Sequence, residues 1–178
     1  FDGDIQLGAV ESASTVTEGT SGGGGNIEIS HVNGGIDVRR IDSSGDIYGG
    51  NIEISSSDNI FVGDVFSTSS QNGGDIEISS FSGNIETENL NSFVINQTSQ
   101  GIGGDISLTS SSGNISIGDI NSFSDFSSFT LNETIGVAGE GGAVLVSTQG
   151  DISGDEGLIL TISNVYFCKV VVFLIQVL

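Results

Sequence analysis

The heptapeptide GGDIEIS, residues 73–79, decides the fold because the chain repeats it with small changes. Each copy has two glycines, then usually Asn or Asp, then two aliphatic residues separated by one outward position. The copies occupy residues 24–30, 49–55, 73–79, 103–109 and 141–147. Self-similarity on this length scale indicates a repeat architecture in which each repeat is one supersecondary unit.

A second, shorter phrase of the same alternation follows each copy. The second phrases occupy residues 35–38, 59–62, 84–87, 114–117 and 151–153, and an isolated one at 4–7 opens the chain. A third apolar position follows the second phrase, at Val10, Ile41, Val65, Leu90 and Ile120. Strict alternation is typical of strands with one buried and one exposed face.

The spacers between these strands are too short for a helical crossover, so consecutive strands cannot be neighbours in an ordinary parallel sheet. They can pair one repeat later. We therefore predict an all-β, right-handed parallel β-helix (a solenoid) of about five to six coils, with three short strands per coil, over residues 1–154. Equivalent aliphatics of successive coils then form continuous inward columns, for example Ile52, Ile76 and Ile106.

The glycines and the Asn or Asp residues fall at the expected corners. Glycine adopts positive φ without penalty, which is the reason we expect it there. Asn and Asp tolerate the same region and hydrogen-bond their own backbone.

Two segments lengthen the later repeats, and we expect them to be longer loops. They are residues 91–102 and 121–140, and they are rich in phenylalanine (Phe93, Phe123, Phe126 and Phe129). Insertions in a solenoid map to loops. These aromatics are expected either to cap or pack on the core or to form an exposed patch.

The tail, residues 155–178, departs from the repeat. It is apolar but interrupted by Asn164 and Lys169. A terminal coil or cap, a non-native sequence and a membrane helix all stay open for it. Because no signal peptide is visible and the chain begins at Phe1 without Met, we interpret it as a fragment whose targeting segment, if any, lies upstream.

The charge excludes some partners. With 23 acidic and three basic residues, the net charge is −20, so the chain has no basic face for nucleic acid. Cations or cation-bridged polysaccharide are more suitable ligands, and the charge also keeps a β-rich protein soluble.

Because Cys168 and His31 are each alone, zinc binding and nucleophilic catalysis are disfavoured.

The candidate metal ligands are Glu28, Glu53 and Glu77, the outward residues between paired isoleucines. Stacked coils would place these carboxylates roughly 5 Å apart. A low-affinity calcium ion would relieve their repulsion, and a solvated acidic stripe is the alternative. We predict no other cofactor.

Asp37 with Arg39 and Arg40 is the one mixed-charge cluster, and we interpret it as a surface ion pair.

The repeat resembles a known family. The alternation at residues 73–90 and 103–122, GGDIEISS and SGNI followed by INS, resembles the strand repeats of filamentous-haemagglutinin-like exoproteins of two-partner secretion, especially the cyanobacterial type. The resemblance covers roughly residues 3–154. It implies a right-handed β-helical shaft, export through an outer-membrane secretion partner, and a role in adhesion.

We therefore predict a non-enzymatic shaft segment of a secreted or surface-exposed, outer-membrane-associated adhesin-like protein. It would present an extended acidic surface to polysaccharide or to a host or neighbouring cell. The alternative is a polysaccharide-acting β-helix enzyme, a lyase or a hydrolase, which needs a groove where non-repeating charged groups converge. Calcium-dependent folding is a third possibility.

Overall fold

The computed structural model describes residues 3–14, 22–96, 101–122, 124–126, 142–154 and 172–176. This described part is all-β and contains no helix. Its strands are β1 (Ile5–Glu11), β2 (Ile27–His31), β3 (Ile36–Asp42), β4 (Ile52–Ser56), β5 (Ile60–Phe66), β6 (Ile76–Ser80), β7 (Ile85–Thr87), β8 (Leu90–Asn91), β9 (Val94–Asn96), β10 (Ile106–Ser110), β11 (Ile115–Ile117), β12 (Ile120–Asn121), β13 (Ser124–Phe126), β14 (Val144–Thr148), β15 (Ile152–Gly154) and β16 (Val172–Gln176).

The strands form two main parallel sheets between which the chain alternates. The first sheet has the order β1-β3-β5-β7-β11-β15, with β8 and β12 paired beside this path. The second sheet has the order β2-β4-β6-β10-β14-β16. Every strand pairs with the equivalent strand of the neighbouring repeat. The predicted parallel pairing one repeat later is confirmed, and the arrangement fits a parallel β-helix.

The register stacks the predicted aliphatic columns. Ile52 pairs with Ile76, and Ile76 pairs with Ile106. All three side chains are buried. Second phrases stack likewise in the first sheet, where Ile60 pairs with Ile85. The inward residues of both sheets form one continuous apolar core between them, as alternation requires.

The third predicted strand is not separate in every repeat. In β1, β3 and β5 the second phrase and the third apolar position belong to one seven-residue strand. Gly8, Arg39 and Gly63 interrupt the register within these strands without ending them. In the repeat after β5, the corresponding position separates β7 from β8, and in the following repeat it separates β11 from β12.

The two lengthened segments contain strand as well as loop. β9 and β13 pair in parallel as a small third sheet, so part of each segment continues the stacking. Phe93 is half-buried. Phe123, Phe129 and the Phe126 side chain lie outside what the structure describes.

Only residues 172–176 of the tail are described, and β16 pairs in parallel with β14. The rest of residues 155–178 lies outside the described ranges. Among the described residues, no helix has the length and apolar character needed to cross a membrane.

The glycines are needed for close approach and not for positive φ, so the expected reason was wrong. Of the described glycines only Gly3 has φ above zero. A Cβ added to Gly24 would lie 1.8 Å from the Ser43 carbonyl oxygen, and one added to Gly113 would lie 2.1 Å from the Gly83 oxygen. The corners bring neighbouring backbones together too closely for any side chain.

An Asn or Asp that directly precedes the first aliphatic residue of a phrase bonds the next repeat and not its own backbone, whereas Asp58 accepts the N–H of the adjacent Asn59. Asn51 Oδ1 accepts the N–H of Asp75 at 3.0 Å, and Asp75 Oδ1 accepts the N–H of Asp105 at 2.9 Å. On the other side, Asn84 Oδ1 accepts the N–H of Asn114 at 2.8 Å. Each of these three side chains thus satisfies a backbone donor one repeat along, which fixes the stacking register.

Candidate functional site

The predicted metal ligands lie on the outer face of the second sheet. Glu28, Glu53 and Glu77 occupy the central outward position of β2, β4 and β6, and the register pairs each with the next. All three are exposed. The column continues as Ser107 and Leu145, so it carries carboxylates on three strands only.

These carboxylates form a row along the sheet surface. Among the described residues, no group of three or more His, Cys, Asp or Glu side chains is arranged to hold a metal ion. A row of like charges in solvent attracts cations without enclosing one. The low-affinity calcium site at Glu28, Glu53 and Glu77 stays a prediction.

A column of hydroxyl groups runs beside the carboxylates, and the sequence analysis missed it. Each outward residue after the second aliphatic is Ser or Thr, and the register stacks them: Ser30, Ser55, Ser79, Thr109 and Ser147. The signal was present, because a hydroxyl residue ends all five first phrases. An aligned hydroxyl column offers repeated donors and acceptors to a polyol.

A shallow cleft of about 340 Å³ lies at the end of this column. It is lined by Ser30, His31, Val32, Ser55, Ser56, Ser57 and Phe81. Val32 is 83% exposed and Phe81 is 74% exposed. The cleft therefore combines hydroxyl groups with two exposed apolar side chains, and its lining includes no carboxylate.

Backbone pairing positions these apolar side chains. Ser57 donates its N–H to the His31 carbonyl, and Phe81 donates to the Ser56 carbonyl. Val32, Ser57 and Phe81 thus follow the ends of three adjacent strands, with the small Ser57 between the larger two. His31 is held by a hydrogen bond between its Nε2 atom and the Gly3 carbonyl oxygen.

The mixed-charge cluster has a different composition from the predicted one. Arg40 pairs with Asp42, with Nη2 2.8 Å from Oδ2. Its guanidinium also lies 4.5 Å from the centroid of the Phe66 ring. Arg40 and Asp42 lie two residues apart on β3 and therefore share a face, so the partner that Arg40 contacts is Asp42 and not Asp37. The interpretation as a surface ion pair otherwise stands, since the Arg40 side chain is 44% exposed.

One outward column of the first sheet alternates acidic and uncharged residues. Asp37 pairs with Phe61, Phe61 with Glu86, and Glu86 with Ser116. Asp64 accepts a hydrogen bond of 2.7 Å from the Asn89 amide. Further along the same strands Glu11 pairs with Asp42, so the carboxylates of the first sheet do not form one repeating column.

No protein-family model, curated protein or solved structure matches this chain. The resemblance to filamentous-haemagglutinin-like proteins therefore depends on the repeat itself.

Proposed function

We propose that this chain is a non-enzymatic shaft segment of a secreted or surface-exposed adhesin-like protein. The shaft is a right-handed parallel β-helix of five to six coils. Its outer faces present columns of carboxylate and hydroxyl groups to a surface polysaccharide or to a neighbouring or host cell. Export through an outer-membrane partner is the route that the repeat resemblance implies.

The general preference for right-handed connections supports the right-handed form of the proposal. In the second sheet, β2 and β4 are parallel neighbours whose connection passes through β3 in the first sheet. Connections between parallel neighbouring strands are right-handed in about 98% of cases, because strands twist in one direction. The same argument applies at every later step of the stack.

One observation carries the functional proposal: on the second sheet the outward side chains repeat from strand to strand, so that Glu28, Glu53 and Glu77 form one column and the hydroxyl residues form another beside it. Glycoside hydrolysis needs two carboxylates placed on opposite sides of one scissile bond. Lyase chemistry needs a positioned base. The hydroxyl column and the cleft beside Phe81 suit binding, because sugar hydroxyls can bond the column while an apolar sugar face packs on an aromatic ring.

The test measures binding and turnover together. The full chain is passed over immobilised cellulose as a neutral polysaccharide and over pectate with and without calcium, and reducing ends and unsaturated uronates are followed in solution. We expect retention on at least one matrix and no product. Release of product from any of them would support the enzyme alternative and contradict the proposal.

A matched pair of variants localises the binding. Phe81→Ser removes the aromatic wall of the cleft, and we expect retention to fall several-fold. Tyr48→Ser removes an aromatic side chain that is also exposed but lies outside the cleft lining, and it should leave retention unchanged. Equal losses in both variants would mean that the cleft is not the binding site.

A further inference from the structure

The turn that follows β2 differs from its counterparts in one hydrogen-bonding side chain. The register places His31 level with the last residues of β4, β6, β10 and β14, which are Ser56, Ser80, Ser110 and Thr148. Each of these four hydroxyls donates to a backbone carbonyl oxygen one repeat back. Each also accepts a backbone N–H two or three residues further along the chain, from Asp58, Gly83, Gly113 or Gly150. These hydroxyls therefore hold one N–H group in each later turn.

His31 reproduces only the donor half of this arrangement. Its Nε2 atom hydrogen-bonds to the Gly3 carbonyl oxygen. A carbonyl oxygen only accepts, so Nε2 carries the proton and has no lone pair to offer an N–H group. The equivalent N–H in this turn belongs to Gly34, three residues further along the chain. Among the described residues, the Gly34 N–H has no hydrogen-bond acceptor.

The residue before this N–H is Asn33, whose side chain is exposed. Asn is a thermolabile residue, because the nitrogen of the following peptide group can attack its side-chain carbonyl carbon and close a cyclic imide. A following glycine favours this attack, since it has no side chain to obstruct it and its backbone rotates freely. The turn after β2 thus combines a reactive sequence with an N–H that no described acceptor holds in place.

We propose that Asn33 is a self-modification site, at which the side-chain amide is lost by attack of the Gly34 nitrogen. Solvent hydroxide removes the Gly34 N–H proton, and the nitrogen forms a bond to Cγ of Asn33. The bond from Cγ to the side-chain nitrogen breaks, and that nitrogen takes a proton from water and leaves as ammonia, which regenerates hydroxide. Water then adds to either carbonyl of the cyclic imide and opens the ring to aspartate or isoaspartate.

A second Asn-Gly-Gly sequence in the chain shows what protects such a site. Asn72 is also exposed. Its neighbour Gly73 donates its N–H to the Ile102 carbonyl at 2.9 Å, and Gly49 donates to the Asn72 carbonyl at 2.8 Å. Attack on Asn72 requires the Gly73 bond to break first, which happens only when this part of the ladder opens. We therefore expect deamidation at Asn33 and protection at Asn72.

The reaction changes the charge next to the cleft. Asn33 directly follows Val32, which lines the cleft. Either product adds a carboxylate beside a lining that includes none, and isoaspartate also lengthens the backbone within the turn. The inference depends on the hydrogen bonds of one turn, so it is independent of the polysaccharide-binding proposal.

The test compares the two Asn-Gly sites within the same molecule. The full chain is incubated at mildly alkaline pH, in buffer and in urea, and cleavage after glutamate then separates the sites onto peptides 29–53 and 54–77. Mass spectrometry follows the conversion of each amide to the acid. In urea both sites should react at similar rates, because both are followed by two glycines. In the folded chain Asn33 should react several-fold faster than Asn72, and a rate no higher than that of Asn72 would overturn the proposal.

A matched pair of variants at His31 tests the cause. His31→Ser supplies the hydroxyl found in the later turns, so it should hold the Gly34 N–H and slow the reaction at Asn33 several-fold. His31→Ala removes the ring without supplying an acceptor, and it should react at least as fast as the parent. The rate at Asn72 shows whether each variant is folded, since unfolding would raise it to the urea value. Equal rates at Asn33 in the two folded variants would mean that the missing acceptor does not control the reaction, which would also overturn the proposal.

Amide hydrogen exchange in the parent gives a test that needs no variant. The Gly34 N–H should exchange several-fold faster than those of Gly83 and Gly113, which the serine hydroxyls accept. Equal protection of the three glycines would contradict the missing hydrogen bond and remove the basis of the proposal.

Discussion

The two kinds of corner in this molecule differ in length, but a buried hydroxyl satisfies backbone hydrogen bonds in the same way at both. We call the short turn from the second sheet to the first the constant corner, and the return from the first sheet to the second the variable corner. At the constant corner, the buried Ser110 hydroxyl donates to the Gly83 carbonyl at 2.8 Å and accepts the Gly113 N–H at 2.9 Å. Ser110 and Gly113 are three residues apart.

The variable corner has the same arrangement, a buried hydroxyl that donates to one carbonyl and accepts one glycine N–H, which we call the clamp. Here the clamp joins the two ends of much longer connecting segments, which we call excursions. The buried hydroxyls of Ser67, Ser92 and Ser122 donate, at 2.6–2.7 Å, to glycine carbonyl oxygens that lie 17 or 18 residues earlier, at the start of the same repeat. They accept N–H groups of glycines that lie 7, 12 and 20 residues further along the chain. The clamp is the same whatever length it encloses.

The comparison explains where this repeat tolerates insertion. Lengthening a loop costs little, about 0.6 kcal/mol for each doubling, provided that its ends are fixed and its buried polar groups are satisfied. A serine two residues after a buried aliphatic supplies both conditions at both corners. The excursions have nevertheless grown only on the return to the second sheet, and the constant corner keeps its eight- or nine-residue offset throughout.

The largest expected effect comes from filling the close approach at the constant corner. Gly113→Ala would place a Cβ 2.1 Å from the Gly83 carbonyl oxygen, a contact that only backbone movement can relieve. We expect destabilisation of roughly 3 kcal/mol or more, at the upper end of overpacking costs. The measurement is the urea midpoint by circular dichroism.

Gly8→Ala is the matched control, because an added Cβ there meets nothing within 4 Å. It should be neutral or slightly stabilising, by up to about 1 kcal/mol. Equal effects of the two alanines would contradict the interpretation that close approach selects these glycines.

The next largest effect comes from removing a corner serine, and local hydrogen exchange should distinguish the two kinds of corner. Ser92→Ala and Ser110→Ala each leave one buried carbonyl and one buried N–H unpaired, at a cost of about 2 kcal/mol or more. Because Ser92 closes a 12-residue excursion and Ser110 a three-residue turn, only Ser92→Ala should also increase hydrogen exchange at residues 93–104. Local exchange that rises equally at both corners would show that length plays no part.

Removing a buried hydroxyl that lies within a strand should stabilise the fold, whereas removing the corner hydroxyls destabilises it. Thr87 occupies an inward position of β7 between Val62 and Ile117, and its buried hydroxyl has no hydrogen-bond partner within the described structure. Thr87→Val keeps the shape and removes the unsatisfied oxygen, so the free energy of unfolding should rise by about 1 kcal/mol. Thermal melting checks it, and Thr87→Ser, which keeps the hydroxyl, should give no gain.

Much of the fold was predictable from spacing, and its polar interior was not. The alternation around Ile76 and Ile85 predicts two buried strands, and the repeat predicts their parallel partners. The sequence analysis did not single out the buried serines, although Ser67 and Ser92 each stand two residues after the third apolar position. Exposure of Phe81 could not be predicted, because it depends on which strand ends carry small neighbours.

The smallest expected effect concerns the outer face. Glu53 lies between Glu28 and Glu77 in register, and like charges on adjacent strands are destabilising by a few tenths of a kcal/mol up to about 1 kcal/mol. Glu53→Gln should therefore raise Tm by about 1–3 °C in low salt and much less in high salt. Glu86→Gln is the control, since its strand neighbours are the uncharged Phe61 and Ser116.

The same pair of variants measures what calcium does to the carboxylate row. If calcium relieves the repulsion along the row, millimolar calcium should raise the Tm of the parent slightly and reduce the Tm difference between Glu53→Gln and the parent. It should change the Tm of Glu86→Gln by the same amount as that of the parent. Magnesium at equal ionic strength separates this from screening, because magnesium gives up its water less readily than calcium does. An equal response of the parent and Glu53→Gln to calcium would mean that the three carboxylates act only as solvated charges.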